Sequence, residues 1–432
     1  MKIISASKFC EELLSNIMNR GVLNLSSVKE TVKKIVDSVK REGDKALIEY
    51  TAKFDGVDLT EIGLKVHKEE ISRAYEWLDE SELKAMEEAS ENIKFFHKAQ
   101  LREGFNVSPF EGVTVGQKYV PLSSVGVYAP GGKKLYPSTV LMCAIPAKLV
   151  GVKDLILCSP PSKSGKVNPR ILVAADLSSV TDVFRIGGAQ AIAAMAYGTE
   201  SIPKVEKIVG PGNIYVTAAK LEVSREVAID LPAGPTEIVI IADGNANEEY
   251  VALDLLAQAE HDENALVILL TNSKSLAEKV NNRISTLLRR VDREETVWKS
   301  LKNNGFIVLV KDLEEAVKLS NLIAPEHVEI LTENPDEVFK GIRNAGAVFL
   351  GEFSPVALGD YTSGLNHVLP TGGYARVYSG LSIRDFIKSV NFLRCTPMGF
   401  KRLKRSTVKL ALMEDLRFHA KSVDVRSEED ED

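Results

Sequence analysis

Between Ser124 and Gly351 the chain repeats one pattern: a short apolar run, a glycine or proline, then a stretch of helical period. The runs are SVGVYAP, DLILCSP, DVFRIGG, EKIVGPG, EVAIDLPAG, EIVIIAD, ALVILLT, GFIVLV, HVEILT and GAVFLG. They read as buried strands, and the intervening TVLMCAIPAKLVG and AQAIAAMAYG read as helices. Alternation of this kind predicts βαβ units and an α/β fold of mainly parallel sheets, with ligands at the carboxyl ends of the strands. At 432 residues the chain is long enough for two such sheets.

The flanks differ. Ser27 and Glu30 predict a capping box ahead of the helical stripe Val28, Val32, Ile35, Val36 and Val39. Gly43 and Asp44 break that helix, and a second carries Ala46, Leu47 and Tyr50. A longer helix is expected from about Glu82 to Leu101, with His97 on its surface. After Leu350 the period fails in a stretch containing six glycines, which predicts a long functional loop, and a helical region is expected from about Ser382. The closing SEEDED reads as a solvated acidic tail.

A net charge of −6 leaves no basic excess for phosphates and argues against nucleic-acid binding. No apolar run approaches the ~20 residues that cross a bilayer. The N-terminus lacks the features of a signal or transit peptide, so the expectation is a cytoplasmic protein without a membrane partner. Cys10, Cys143, Cys158 and Cys395 are scattered without zinc-ligand spacing, and Cys143 and Cys158 read as packed core residues rather than nucleophiles. Any metal site must therefore use nitrogen and oxygen donors.

Histidine is scarce, six in all, and its settings carry the chemistry. In LLAQAEHDEN, Gln258 and His261 stand three residues apart, about 60° around a helix, and Asp254 falls on the same stripe. An amide, an imidazole and a carboxylate on one face either meet solvent or converge on a ligand. Glu326 and His327 occupy a junction between a helix capped at Asp312 and a strand, with Pro325 blocking continuation of the helix. Adjacent acid and imidazole offer two proton-transfer groups. Asp360 lies in LGDYTSGLNHV. Glu414 and His419, five residues apart, lie about 140° apart on a continuous helix and address one ligand only at its two ends, unless the helix stops between them. Gln258, His261, Asp360 and His419 would together suit zinc, manganese or cobalt. Glycine-rich loops in YAPGGKKLYPST, IGGAQAIAA, VGPGNIYVT and LPAGPTE suggest a nucleotide, although none matches a standard fingerprint.

Taken in series, GVYAPGG, GGAQAIAA, GPGN, AGPTE, QAEH, APEH, GDYTSGLNHVLPT and EDLRFHA resemble the histidinol dehydrogenase family, in its order and spacing, from about residue 20 to about residue 425. The resemblance implies the last step of histidine biosynthesis, a zinc-dependent, NAD-linked oxidation of L-histidinol to L-histidine through L-histidinaldehyde. It implies Glu326 and His327 as catalytic residues and Gln258, His261, Asp360 and His419 as zinc ligands, the last from the partner of a homodimer with shared active sites. Thr236, His327, His367 and Glu414 match substrate contacts, as do the four zinc ligands; Tyr128, Gln190 and Asn213 match NAD contacts. Thr236 stands where many members carry serine, and the retained hydroxyl leaves substrate binding expected. The implied fold is two incomplete Rossmann-like domains with small helical extensions: 1–25 at the N-terminus, a metal-side domain split between 26–128 and 237–381, an NAD-side domain at 129–236, and a dimer-swapped extension at 382–432.

Overall fold

A computed structural model describes residues 1–20, 25–131, 135–231, 234–289 and 294–426. Parts of two glycine-rich loops (132–134 and 232–233) and the acidic end 427–432 lie outside the described residues. By its contacts the chain divides into two units, Met1–Gln100 with Ser123–Phe386, and Leu101–Leu122 with Ile387–Asp432, boundaries that do not coincide with the four segments expected.

The larger unit holds two parallel sheets, and all ten apolar runs form their strands. One has the order Lys2–Ser5, Gly305–Leu309, Leu266–Thr271, Glu237–Ala242, His327–Leu331, Ala347–Leu350. The other runs Asp182–Phe184, Asp154–Cys158, Ser124–Tyr128, Lys207–Val209, Ala228–Ile229. With Lys2–Ser5 set aside, each sheet counted in its own chain order reads 3-2-1-4-5, the order of a doubly wound sheet. Every residue of Glu237–Ala242 and Leu266–Thr271 is buried, as expected of central strands covered on both faces. Ile238 and Ile240 pack with the helix Glu248–Ala259, while Val239 and Ile241 pack on the opposite side with Leu313–Ile323.

Three local expectations change. The first segment opens with the strand Lys2–Ser5, paired to Gly305–Leu309, where only helix was expected. The predicted stripe is buried on the helix Ser26–Glu42, but Leu25 precedes it with no side-chain cap, so the Ser27–Glu30 box does not form. That helix packs on Gly188–Tyr197 and Ile214–Val223, against the five-stranded sheet rather than the six-stranded one with which 26–128 was grouped. Its partners are chosen by its apolar face, which no local pattern assigns to one sheet or the other.

The smaller unit is an antiparallel sheet ordered Ile387–Cys395, Val113–Pro121, Phe105–Phe110, followed by the helices Pro397–Met413 and Arg417–Asp424. The extension expected from 382 thus opens with a single 3-10 turn, Ile383–Phe386, and is α-helical only from Pro397. Its strand is almost wholly exposed and is defined by pairing with residues far away in sequence, so burial imposes no period on it.

Candidate active site

The strands Glu237–Ala242 and His327–Leu331 run parallel with His327 opposite Ile238. This register brings Thr236 and Glu237 alongside Glu326 and His327 at the amino end of the six-stranded sheet, not at the expected carboxyl end. A crossover helix runs back from the carboxyl edge to the amino edge. Gln258 stands in the last turn of Glu248–Ala259 and is delivered there.

A hydrogen-bonded chain joins these residues. Thr236 Oγ1 donates to Glu326 Oε2 at 2.5 Å, and Gln258 Nε2 donates to the same hydroxyl. With its single hydrogen committed to the carboxylate, the hydroxyl accepts from the amide, which turns Gln258 Oε1 away from Thr236. The backbone N–H of Glu237 also donates to Glu326 Oε2, at 3.0 Å. His327 Nδ1 donates to the carbonyl of Glu237 at 3.0 Å. In the neutral ring this places the lone pair on Nε2, a buried atom without a hydrogen-bond partner among the described residues, 3.7 Å from Asp360 Oδ1.

Asp360 lies on the short helix Val356–Tyr361, and its carbonyl accepts from His367 Nδ1 at 2.9 Å. The other nitrogen of that ring meets Thr139 Oγ1 at 3.1 Å. Burial pushes the Asp360 carboxyl up, but the imidazoles of His327, His367 and His261 outweigh it and hold the group below the usual carboxylate range. Burial lowers His367. Burial also drives Glu326 up, only partly opposed by His327 and Thr236, to about 7. For His327 burial acts downward, yet Glu326 and then Asp360 carry it up to about 9. The pair titrates as a unit.

Thr236, Gln258, His261, Glu326, His327, Asp360 and His367 therefore form one cluster. Glu414 and His419 belong to the smaller unit. There the helix Pro397–Met413 ends before Glu414, Asp415 adopts a φ of 57°, and a new helix starts at Arg417. The 140° separation on one helix does not apply. Among the described residues no three His, Cys, Asp or Glu side chains gather as a metal cluster. The donors that remain in the larger unit are one amide, one imidazole and one carboxylate.

Tyr128, Gln190 and Asn213 lie with the five-stranded sheet. The Tyr128 hydroxyl accepts from Gly188 N at 3.1 Å, at the start of the helix Gly188–Tyr197. Asn213 caps Ile214–Val223 by accepting from Tyr215 N and Val216 N at 3.0 and 3.1 Å. Gly210, with φ of 111°, approaches so closely that a Cβ there would lie 2.1 Å from the carbonyl oxygen of Tyr128.

Sequence reasoning missed Arg20, Glu237 and Glu329. Glu237 is buried and meets Arg20 through two bonds of 2.6 Å. Glu329 is buried and shares a hydrogen bond with Asp254, and burial pushes both carboxyls up. The available signal was an acid inside an otherwise apolar run, EIVIIA and HVEIL. His97, expected on a helix surface, is buried and bonded to Gln100 and Asn366. Cys143 and Cys158 are fully buried, and burial raises both thiols, Cys158 to about 12.

A family profile described as histidinol dehydrogenase matches residues 18–427. The chain belongs to the histidinol dehydrogenase family. The histidinol dehydrogenase of Methanothermobacter thermautotrophicus is 47% identical over 420 residues, covering 97% of this chain and 98% of that one. That of Caldanaerobacter subterraneus subsp. tengcongensis is 50% identical over 414 residues, covering 96% of each. The crystal structure of histidinol dehydrogenase from Elizabethkingia anophelis superposes with a TM-score of 0.93 at 40% identity, covering 98% of this chain and 96% of that chain. Histidinol dehydrogenases are oxidoreductases, and the cluster above is the candidate site for that activity here.

The electrostatics give a checkable sign. Both catalytic candidates bind protons more tightly folded than unfolded. Their stabilising contribution is therefore complete at low pH and declines as pH rises, from 4.5 to about 7 for Glu326 and from 6.5 to about 9 for His327. Glu326→Gln removes the largest upward influence on His327, so in metal-free protein the imidazole should titrate below about 9. An NMR titration of the ring that leaves His327 where it was would contradict this account.

Proposed function

We propose that the chain oxidises L-histidinol to L-histidine with two NAD, through L-histidinaldehyde, using one zinc per subunit. Family membership supports the reaction, and one observation carries the site: the buried Nε2 of His327, without a hydrogen-bond partner among the described residues and 3.7 Å from the Asp360 carboxylate. The donor chemistry fits zinc. Gln258 Oε1 is turned away from Thr236, and the Asp360 carboxyl is held ionised among imidazoles, giving oxygen and nitrogen donors without thiolate. Gln258, His261 and Asp360 would hold the ion, with His419 supplied by a second copy in a homodimer. Bound there, zinc supplies Lewis-acid polarisation and orients the imidazole and amine of the substrate. Bound at the five-stranded sheet near Tyr128, Gln190 and Asn213, NAD supplies the hydride acceptor.

The chain's own residues move the protons. His327 Nε2 takes the hydroxyl proton of histidinol as hydride leaves its carbon, and aldehyde, NADH and a proton result. Engagement of Asp360 by a cation removes one of the two charges that raise His327, which favours the neutral imidazole a base requires. Glu326, raised to about 7, takes a proton from the water that adds to the aldehyde. The hydrate then gives its one remaining hydride to the second NAD, and the carboxylate, NADH and two protons result. Thr236, His367 and Glu414 position the substrate. The buried, raised thiols of Cys143 and Cys158 suit core packing and not a thiohemiacetal route.

Purified protein with stoichiometric zinc should form two NADH per histidinol and stop when the metal is chelated away. Turnover in metal-stripped protein, or no NADH from the loaded protein, would refute the reading. Glu326→Gln should slow the second oxidation more than the first, by roughly 10- to 100-fold, because only that step consumes water. Equal slowing of both phases in single-turnover absorbance would remove Glu326 from that role. Mixing inactive His261→Ala and His419→Ala chains should restore activity, since one of the two shared sites is complete in the heterodimer. Persistent inactivity after subunit exchange would rule out sharing.

A further inference from the structure

We propose that Arg20 is a positioning residue for the Glu326–His327 pair, acting through Glu237; the inference rests on the catalytic reading of that pair given above. Arg20 Nε and Nη2 donate to the two oxygens of Glu237 at 2.6 Å each, a planar fork on a buried carboxylate. Its remaining nitrogen, Nη1, donates to the carbonyls of Ile17 at 2.6 Å and Ile323 at 3.1 Å. Ile323 is the last residue of the helix Leu313–Ile323, followed by Ala324 in the left-handed region and then by Pro325 and Glu326. One guanidinium thus ties the junction that carries Glu326 and His327 to the start of the central strand.

Glu237 converts that anchor into catalytic geometry. Its carboxylate accepts from the backbone N–H of Glu326 at 3.3 Å and of Gly372 at 2.8 Å. Its own backbone N–H donates to the Glu326 carboxylate, and its carbonyl accepts from His327 Nδ1. The orientation of Glu326 and the tautomer of His327 therefore both depend on where the backbone of Glu237 lies, on the two peptide units that flank its Cα. Strand pairing fixes the backbone from His327 onward, opposite Ile238, and the N–H groups of Gly346 and Ala347 extend it by donating to the carbonyls of Pro325 and Glu326. To this the ion pair adds a side-chain anchor at the N–H of Glu326, the one backbone donor there that faces Glu237. A cavity of about 220 Å³ lined by Arg20, Glu237, Asn264, Asn304 and Thr371 adjoins the pair, which gives a small cation a place to enter if the side chain is cut back.

The test uses the full-length, zinc-loaded protein with Arg20→Ala and Arg20→Lys. The Ala variant should keep its zinc content and its KM for NAD, and lose about 10- to 100-fold in kcat, since small displacements of reacting groups cost that much. Millimolar guanidinium chloride should restore part of the loss. The Lys variant should recover only a fraction, because an ammonium cannot form the two-bond fork. Wild-type kcat in Arg20→Ala overturns the proposal, as does a loss that parallels unfolding or metal loss and resists guanidinium. If Arg20→Ala does not fold, Glu237→Gln keeps the side-chain size and should show the same loss of kcat at unchanged KM for NAD; wild-type kcat there overturns the proposal equally. The ring ¹⁵N signals of His327 provide a readout independent of turnover. Arg20→Ala should shift the ring from Nδ1-protonated toward a mixture of tautomers, and an unchanged spectrum refutes positioning. A wild-type protein that makes no NADH from histidinol would instead defeat the catalytic reading, leaving the ring signals to decide the role of Arg20.

Discussion

The parallel pairing of Glu237–Ala242 with His327–Leu331 is the constraint on which the site depends. Side chains alternate along a strand, so a slip of one residue would turn His327 to the other face of the sheet. It would also separate the carbonyl of Glu237 from the imidazole. The register is secured by apolar packing on both faces, with Ile238 and Ile240 on one side and Val239 and Ile241 on the other. The geometry of the candidate site is a by-product of core packing: Ile238, one of the residues that hold the strands in place, lies directly opposite His327.

Around that pairing the larger unit buries several ionisable groups, and each is stabilised differently. Glu237 is paired with a guanidinium, and two backbone N–H groups complete its shell. Glu326 and His327 share a site in which each affects the other's proton. Glu329 and Asp254 meet as two acids, burial raising both carboxyls and the charge of Asp254 adding to the rise of Glu329. The polar network is confined to the amino edge and one helix face, and the apolar layers beneath it exclude water. Within such surroundings hydrogen bonds are worth more than at the surface, and a lost partner costs more.

Much of this was legible before any coordinates. The buried strands announced themselves as apolar runs stopped by glycine or proline, because a strand covered on both faces has no room for polar alternation. The junction at Pro325 was readable from backbone chemistry, and the Asp312 cap formed with Glu315 N at 2.8 Å. Other features were not. The strand Ile387–Cys395 carries little burial signal because its pairing is long-range, and His97 looked exposed because its partner Asn366 lies far along the chain. The expectation of ligand sites at the carboxyl edge does not describe the six-stranded sheet, where a crossover helix delivers Gln258 to the opposite edge, whereas Tyr128, Gly188 and Asn213 do lie at the carboxyl ends of strands in the five-stranded one. Arg20 and Glu237, 217 positions apart, show no local pattern that relates them.

By itself the sequence determined the buried strands of the larger unit, their alternation with helices that forces parallel sheets, the family, and the scarce residues that are candidates for chemistry. These follow from local periodicity, backbone restrictions and motif order, all properties of neighbouring residues. Only the tertiary structure decided which strand lies beside which, which ring nitrogen of His327 keeps its lone pair, and that Arg20 reaches Glu237. Those outcomes depend on contacts between distant segments, whose energies are set by burial and by the direction of single hydrogen bonds once the chain has closed around them.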